Sequence, residues 1–320
     1  MSVVLSTKYI GQPIRVFYLS RILRLYPSYF IVLALTLALA PFIHFGIHKV
    51  SYGFAYMFSD GVEWSLGNLV LWTFTNLVML GKEIWFFNGG NWVDVVAPGH
   101  ETIMRRLNTY QIVSPAWSLS LELQFYLLAP FLARARTGIV VLLCVLSVAL
   151  RAGLQFWGYA AEPYAYYTLP CQLCLFLLGM LSHRLLGKWT DTAPMWSAHL
   201  ASIGLCSLLV FYPWTSAYAA IDWIKLIMLA LLFFTVPLLA KTRSAADRYM
   251  GDLSYPVYLL HLPVIYVIAA NWPPEWPSAV QAALLFAVVL VLSAALVNFV
   301  DRPVDRLRQR WATGAVPGRG

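Results

Sequence analysis

The feature that most constrains this chain is a succession of apolar segments, each about as long as a membrane-spanning helix. A helix needs ~20 mostly apolar residues to cross the hydrocarbon core of a bilayer. Hydrophobic residues make up 60% of the 320 residues and charged residues only 11%, whereas soluble domains carry ~25% charged residues. The composition therefore excludes a soluble enzyme, a disordered chain and a fibrous one. Eight segments qualify as spans: 25–44, 115–133, 138–158, 164–186, 196–213, 220–240, 250–270 and 278–300.

A ninth apolar segment, residues 67–81, is shorter and contains Asn68 and Asn76. Short cytoplasmic loops are enriched in Lys and Arg, so the basic residues show how this segment should be counted. If it does not fully cross, both termini fall on one side with 16 basic residues, against 4 on the other. Nine full spans would instead put basic clusters on both faces. The sixteen are Lys8, Arg15, Arg21, Arg24, Arg134, Arg136, Arg184, Lys188, Lys241, Arg243, Arg248, Arg302, Arg306, Arg308, Arg310 and Arg319, and the four are Lys49, Lys82, Arg105 and Arg106.

We therefore predict an all-α, polytopic transmembrane helical bundle of about eight spans, with both termini cytoplasmic. Residues 67–81 are predicted to form a re-entrant or interfacial helix. A single membrane domain is expected over 1–310, with one long external loop at 45–114 and a flexible tail at 311–320. The loop is rich in Trp, Gly and Asn, and either it shapes a substrate site or its aromatic residues belong to the membrane boundary.

Charge and cysteine use agree with a membrane protein. The net charge of +8 would suggest nucleic acid in a soluble domain, but in a membrane protein it marks cytoplasmic loops. The partner we expect is the lipid bilayer, not nucleic acid. Cys144, Cys171, Cys174 and Cys206 all lie in apolar stretches, so no disulfide framework is expected. Cys171 and Cys174 lack a second ligand pair and are interpreted as small apolar residues, with no metal site.

Ionisable residues within the spans are the first candidates for a functional site, because a charge inside a bilayer is costly. Glu122 lies in a helix made unusually polar by Trp117, Ser118, Ser120, Gln124 and Tyr126. An unpaired carboxylate there would tend to protonate, so Glu122 either has a partner or works as an acid or base. Arg151, Asp222 and Lys225 carry no motif and are interpreted as structural ion-pair candidates.

Two further features are open to a functional and a structural interpretation. His261 lies about mid-span on roughly the same helix face as Ser254, and it is either a packing residue or part of a site. Arg21 and Arg24 are one helical turn apart. Paired guanidinium groups suit phosphate oxygens, although spacing alone favours charges that orient the chain in the membrane.

Three segments, taken together, resemble the acyltransferase 3 family of integral-membrane O-acyltransferases, which decorate bacterial surface polysaccharides and related acceptors. They are FYLSRILRLYPSYF (17–30), PAWSLSLELQFYLLAPFL (115–132) and GDLSYPVYLLHLPV (251–264), followed by VNFVDRPVDRLR near the end. Their order and spacing fit over nearly the whole chain. Family members usually begin with two further spans, the first carrying a basic residue and the His regarded as catalytic. We therefore expect either a misplaced gene start or an N-terminally truncated version, active or inactive.

The resemblance implies roles for individual residues. Arg21 and Arg24 match the RxxR arginines that are thought to hold acyl-CoA at the cytoplasmic side. Glu122 and His261 are the catalytic candidates, and Asp301 stands where the family usually has Glu, a mild departure. The substrate cavity is expected to be bordered by Trp117, Ser118, Tyr126, Ser254, Tyr255 and Tyr258.

The function implied is transfer of an acyl group, expected to be acetyl, from cytoplasmic acyl-CoA to a hydroxyl of a surface or exported polysaccharide or glycolipid. Acetyl-CoA would be a co-substrate, with no bound cofactor, and the location would be the bacterial inner membrane. Two alternatives stay open. One is a transporter or flippase for a lipid-linked saccharide, which predicts inverted repeats that the sequence does not show. The other is a non-catalytic remnant of the acyltransferase.

Overall fold

The structure is a computed structural model that describes residues 13–47, 66–86, 111–157, 164–215, 223–239, 245–269 and 276–312. Within these ranges the chain is helical and contains no β-strand, which confirms the predicted all-α class. The helices are α1 Ile14–Ile47, α2 Leu66–Val78, α3 Trp117–Arg134, α4 Thr137–Phe156, α5 Leu169–Thr192, α6 Met195–Thr215, α7 Trp223–Leu239, α8 Ala245–Ala269, α9 Ser278–Leu296 and α10 Arg302–Ala312. Two 3-10 turns, Lys82–Phe86 and Ser114–Ala116, and a π turn, Val297–Asp301, complete them.

Five helical segments of the described residues are long and apolar enough to cross a membrane. They confirm a multi-pass membrane protein and cover the predicted spans 25–44, 138–158, 164–186, 250–270 and 278–300. In an 18-residue apolar window of each segment, only 17% to 39% of the residues are buried within the protein, so most residues of these windows are not covered by other parts of the chain. The segments are Ile14–Pro41, Thr137–Leu154, Leu169–Thr190, Ala245–Ile268 and Ser278–Arg308.

The remaining predicted segments differ in informative ways. Helix α3 covers 115–133, but its polar side chains make it less apolar than the five spans. Helix α2 has 13 residues and is therefore only ~20 Å long, too short for a hydrocarbon core ~30 Å thick. This length supports the prediction that 67–81 does not fully cross. The predicted spans 196–213 and 220–240 include residues that lie partly or wholly outside the described part of the chain, so both spans stay predictions. The orientation of the termini also stays a prediction.

The chain packs as two compact units. The first comprises 1–12, 128–160 and 169–248, and its described part contains the end of α3 together with α4, α5, α6 and α7. In this unit Arg184 donates to the carbonyl oxygens of Leu132, Ala133 and Ala135 at 3.0, 2.8 and 2.9 Å. These carbonyls lie at the C-terminal end of α3, where the intrahelical donors run out and a positive charge is favourable. The carbonyl of Leu132 also accepts from the amide of Ala135 at 3.2 Å.

Helices α4 and α5 of the first unit are joined by a hydroxyl group inserted into a helical hydrogen bond. Ser147 donates to the carbonyl of Pro170 at 2.5 Å and accepts from the amide of Cys174 at 2.9 Å. The four cysteines are free thiols, and Cys144, Cys171 and Cys174 are buried. The predicted partners Asp222 and Lys225 cannot be compared, because Asp222 and the side chain of Lys225 lie outside the described residues.

The second unit comprises 13–127, 161–168 and 249–320. It contains α1, α2, most of α3, nearly all of α8, and α9 with α10, and every predicted site residue lies in it. Of the predicted external loop 45–114, the structure describes 45–47, 66–86 and 111–114, and of the predicted tail 311–320 it describes only 311–312. The prediction of one domain over 1–310 stays a prediction.

Candidate functional site

Helix α3 carries polar side chains on two faces. Ser118, Glu122 and Tyr126 are spaced four residues apart, which places them above one another on one side of the helix. We call these three residues the polar stripe. Ser120 and Gln124 share another side of the same helix. Each face meets different neighbours, and together they account for the polar sequence of α3.

The polar stripe is internally hydrogen-bonded and tied to α8. The hydroxyl of Tyr126 donates to Oε1 of Glu122 at 2.6 Å, and the described residues place no hydrogen bond on Oε2. The hydroxyl of Tyr258 in α8 donates to the carbonyl of Pro115. It lies 2.6 Å from the hydroxyl of Ser118. Because the Tyr258 phenol has one proton, Ser118 is the donor in that pair.

Arg21 lies at the other end of the polar stripe. Its guanidinium carbon is 5.3 Å from the ring centroids of both Phe17 and Tyr126, a distance at which a cation interacts with an aromatic face. Arg21 is only 4% exposed, whereas Arg24 is exposed. The two predicted phosphate-binding arginines are therefore one helical turn apart but in different surroundings, with one inside the protein and one at its surface.

Helix α8 brings some of its predicted residues to the site and leaves one outside. Tyr255 donates to the carbonyl of Leu25 in α1 at 2.6 Å, next to the arginine pair. Glu122 acts electrostatically on the phenols of Tyr255 and Tyr258. Ser254 is exposed and donates to Gly251 of its own helix at 2.7 Å. Although Ser254 and His261 were predicted to share a helix face, Ser254 lies at the surface and is hydrogen-bonded to its own helix, not to the polar stripe.

His261 is partly buried and hydrogen-bonded to its own helix. Its Nδ1 lies 2.7 Å from the carbonyl oxygen of Tyr258. A carbonyl oxygen can only accept, so Nδ1 must carry the proton, and in the neutral ring Nε2 is then a proton acceptor. The ring centroids of His261 and Tyr258 are 5.8 Å apart. The structure connects His261 to the polar stripe through Tyr258, with no hydrogen bond between Glu122 and His261.

The second face of α3 contacts Glu83, which follows Lys82 in the chain. Neither residue was among the site residues predicted from the sequence. Glu83 accepts from the hydroxyl of Ser120 at 2.5 Å and from the amide of Gln124. Lys82 is fully buried, and its Nζ donates to Oδ1 of Asn76 at 2.9 Å. A signal existed in the sequence, because Asn76 interrupts the apolar segment 67–81 just before the Lys-Glu pair. Sequence spacing alone could not show that the pair folds back against α3.

A tight turn aims these two neighbouring charges in different directions. Met79 and Gly81 have φ angles of 60° and 80°. These angles lie in the left-handed region, which residues other than glycine rarely adopt. The amide of Gly81 donates to the hydroxyl of Ser120 at 2.9 Å. Tyr29 of α1 donates to the carbonyl of Asn76 at 2.5 Å. The turn thus connects α1, α2 and α3 on the side of α3 away from Glu122.

Burial lowers the pKa of Lys82 from its ordinary value of 10.5 to about 7. Because this pKa lies below the unfolded value, the unfolded chain binds more protons than the folded chain between pH ~7 and ~10.5, and stability rises with pH there. We expect Lys82→Met to remove this dependence, which contributes at most ~1.4 kcal/mol per pH unit. The difference in melting temperature between wild type and variant, measured in detergent, should be largest at or below pH 7. This difference should then change steadily as the pH rises to 10.

The matched control for this prediction is Lys188→Met, since Lys188 is exposed on α5. Its melting temperature should follow the wild-type pH dependence. The lost hydrogen bond to Asn76 adds an offset that does not vary with pH. A difference between Lys82→Met and wild type that is constant from pH 6 to 10 would contradict the prediction.

Asp301 is placed by the π turn so that it reaches α1. Its Oδ1 accepts from the hydroxyl of Ser28 at 2.5 Å. Arg302, the next residue, donates to Oδ1 of Asn298 at 2.8 Å and lies 5.0 Å from the ring of Tyr249. Asp301 therefore ties the end of the bundle to the helix of the arginine pair. Among the described residues no group of three or more His, Cys, Asp or Glu side chains is arranged to hold a metal ion.

The fold and the polar stripe define a multi-pass helical membrane protein with a carboxylate and a buried guanidinium in one connected site. Residues 3–298 match the sequence model of a family described as an acyltransferase domain, so the chain belongs to the acyltransferase 3 family. It is a membrane acyltransferase. No curated protein and no solved structure matches the chain.

Proposed function

We propose that the protein is an O-acyltransferase of the bacterial inner membrane. It transfers an acyl group, most simply acetyl, from acyl-CoA to a hydroxyl of a surface or exported polysaccharide or glycolipid. The observation that supports this proposal is the polar stripe, which connects Arg21 at one end to Tyr258 at the other through Glu122. Its residues span eight positions of α3, a rise of ~12 Å.

Acyl transfer needs a base, and Glu122 is suited to that role. In the proposed reaction the acceptor hydroxyl attacks the thioester carbonyl while its proton passes to Oε2 of Glu122. The tetrahedral intermediate then collapses, the C–S bond breaks, and the CoA thiolate leaves and takes up a proton. The hydrogen bond from Tyr126 to Oε1 holds the carboxylate in one orientation. His261, with Nε2 available as an acceptor, is the second proton carrier of the site.

The negative charge of the tetrahedral intermediate also needs a partner. The hydroxyl protons of Tyr126, Ser118 and Tyr258 are already donated to Glu122, Tyr258 and Pro115. The permanent positive charge at the stripe is the guanidinium of Arg21, which is held against the ring of Tyr126. We therefore assign Arg21 to the reacting carbonyl and the exposed Arg24 to the phosphates of CoA.

This assignment predicts the behaviour of Arg24→Ala. Removal of one charge-assisted contact to a phosphate, worth ~1.5 to 3 kcal/mol, should raise the Kd for acetyl-CoA about tenfold or more. The binding of radiolabelled acetyl-CoA to the full chain in nanodiscs measures this effect, and the affinity of the wild type should fall with added salt. Arg15→Ala is the matched control, because Arg15 is also exposed on α1, and it should leave the Kd unchanged.

Equal affinities of wild type and Arg24→Ala for acetyl-CoA would contradict the assignment of Arg24. Absence of acetyl-CoA binding to the wild type, together with movement of a lipid-linked saccharide across vesicle membranes, would favour the flippase alternative. Binding of acetyl-CoA without transfer to any acceptor would favour the non-catalytic alternative.

A further inference from the structure

Four aromatic rings from three separate segments form one cluster in the second unit. Phe86 comes from the 3-10 turn after α2, Trp117 begins α3, and Tyr166 and Tyr167 precede α5. The rings of Phe86 and Tyr167 are stacked, with centroids 3.7 Å apart and planes at 8°. Trp117 meets Phe86 and Tyr167 edge-on at 6.0 and 4.6 Å and lies 5.2 Å from Tyr166. We call these four residues the aromatic cluster.

The aromatic cluster has a closed base and an open edge. Tyr167 is 7% exposed, whereas Tyr166 is 43% exposed. Trp117 lies between these extremes. Anchoring at the membrane boundary requires only that an aromatic ring lie at the level of the headgroups, and it does not require stacking partners from three segments. The aromatic cluster instead has the form of a preassembled binding surface, with Tyr166 at its exposed edge and Trp117 beside it.

The aromatic cluster adjoins the polar stripe. Trp117 is followed directly by Ser118, which bonds to Tyr258, and Tyr166 acts electrostatically on the phenol of Tyr258. Glu122 is five residues further along α3, a rise of ~7.5 Å, which is comparable with the length of one hexose unit. Glu122 shares a face of α3 with Ser118, so a ligand that extends from Trp117 across Ser118 would reach toward Glu122.

The chemistry of the aromatic cluster favours a sugar over a phosphate-bearing ligand. Its four residues carry no charge, and the nearby Lys82 is buried and bonded to Asn76, so a phosphate would find no cationic partner among them. Tyr and Trp combine an apolar ring face with a polar group. A pyranose has the complementary form, with an apolar face of C–H groups and an edge of hydroxyls. Binding sites of this kind are mostly apolar, with a few polar groups that set orientation.

We propose that the aromatic cluster is the acceptor subsite, where a pyranose ring stacks on Trp117 and Tyr166 and directs a hydroxyl toward Glu122. This inference rests on the proposed O-acyltransferase function and adds to it the location and class of the acceptor. It also assigns functional roles to Phe86, Tyr166 and Tyr167, which lie outside the sequence segments that carry the family resemblance. The Phe86–Tyr167 stack supports the binding surface, and Tyr166 contacts the sugar.

The test uses the full chain in nanodiscs with radiolabelled acetyl-CoA and four acceptors, the methyl glycosides of glucose, galactose, N-acetylglucosamine and rhamnose. Tyr166→Ala should raise the KM for the glycoside that wild type acylates at least tenfold. It should leave the Kd for acetyl-CoA unchanged. Tyr166→Phe, which retains the ring, should behave as wild type. Tyr164→Ala is the matched control, since Tyr164 is a similarly exposed tyrosine, at 41%, in the same connection.

Each other outcome overturns a stated part of the proposal. An unchanged KM in Tyr166→Ala, with a glycoside acylated by wild type, removes the acceptor subsite and leaves the O-acyltransferase function standing. A KM raised equally in Tyr166→Phe and Tyr166→Ala removes ring stacking. Binding of acetyl-CoA without acylation of any of the four glycosides overturns the assignment to a pyranose. Failure to bind acetyl-CoA at all is the distinct result that would remove the proposed function itself.

Discussion

Glu122→Gln is expected to lower kcat for acyl transfer about 1000-fold, within the range for the loss of a general base, with little change in the Kd for acetyl-CoA. The amide keeps the size of the side chain and can still accept from Tyr126, so the helix should pack as before. It cannot take up the proton of the acceptor hydroxyl. Single-turnover transfer from radiolabelled acetyl-CoA to the glycoside that wild type acylates measures the effect independently of product release.

Two variants show whether Glu122 acts as the base. Glu122→Asp retains a carboxylate but shortens the side chain, so it should recover part of the rate that Glu122→Gln loses. His261→Asn should cause a smaller loss, because the direct contacts of His261 are with Tyr258 of its own helix. If His261→Asn abolished transfer while Glu122→Gln kept most of it, the base would be His261 and our assignment of Glu122 would be wrong.

Arg21→Lys is expected to reduce kcat about 100-fold, the scale seen when one group that stabilises an oxyanion is lost, while the Kd for acetyl-CoA changes less than threefold. Lysine keeps the charge, but its compact ammonium cannot stack as a planar guanidinium does between the rings of Phe17 and Tyr126. The charge would then no longer be held at the polar stripe. Measurement of kcat and of acetyl-CoA binding on the same preparation separates the two effects.

The matched control is Arg24→Lys, which makes the same change at the exposed arginine. It should alter the Kd modestly and leave kcat near the wild-type value, since an exposed ammonium also binds phosphate. In the opposite pattern, Arg21→Lys would weaken acetyl-CoA binding and leave kcat unchanged. That result would show that Arg21 binds the phosphates and would contradict its assignment to the reacting carbonyl. Elution at the wild-type volume from size exclusion in detergent would confirm that each variant is folded.

The sequence predicted most of the helices because membrane spans have a strong signal, a long apolar run that composition alone reveals. It also predicted that 67–81 would not cross, from Asn76 and the distribution of basic residues. It gave less information about α3, a helix of 18 residues that contains Glu122 and Gln124 and is predicted to be a span. The structure shows that the two faces of α3 satisfy these groups against other helices and turns, an arrangement that depends on tertiary packing.

The candidate site was only partly accessible to sequence reasoning. The sequence showed that the helix of Ser118, Glu122 and Tyr126 is unusually polar, but it did not separate the two polar faces that the structure shows. The sequence grouped Arg21 and Arg24 as one phosphate-binding pair, but burial differs between adjacent helical faces, and only tertiary packing decides which arginine is covered. The Lys82–Glu83 turn depends on backbone angles at Met79 and Gly81 that no periodic pattern encodes.

The position of Glu83 before α3 in the chain has a consequence for how the protein enters the membrane. Helix α3 emerges from the ribosome with two polar faces, and its partner Tyr258 is synthesised 140 residues after Ser118. Glu83, by contrast, is already present and can bind Ser120 and Gln124 as soon as they emerge. The Tyr126 end of the polar stripe can likewise meet Phe17 and Arg21 of α1, which are also already present. The Ser118 end must wait for Tyr258 of α8, so this end of the site is among the last parts of the bundle to be completed during insertion.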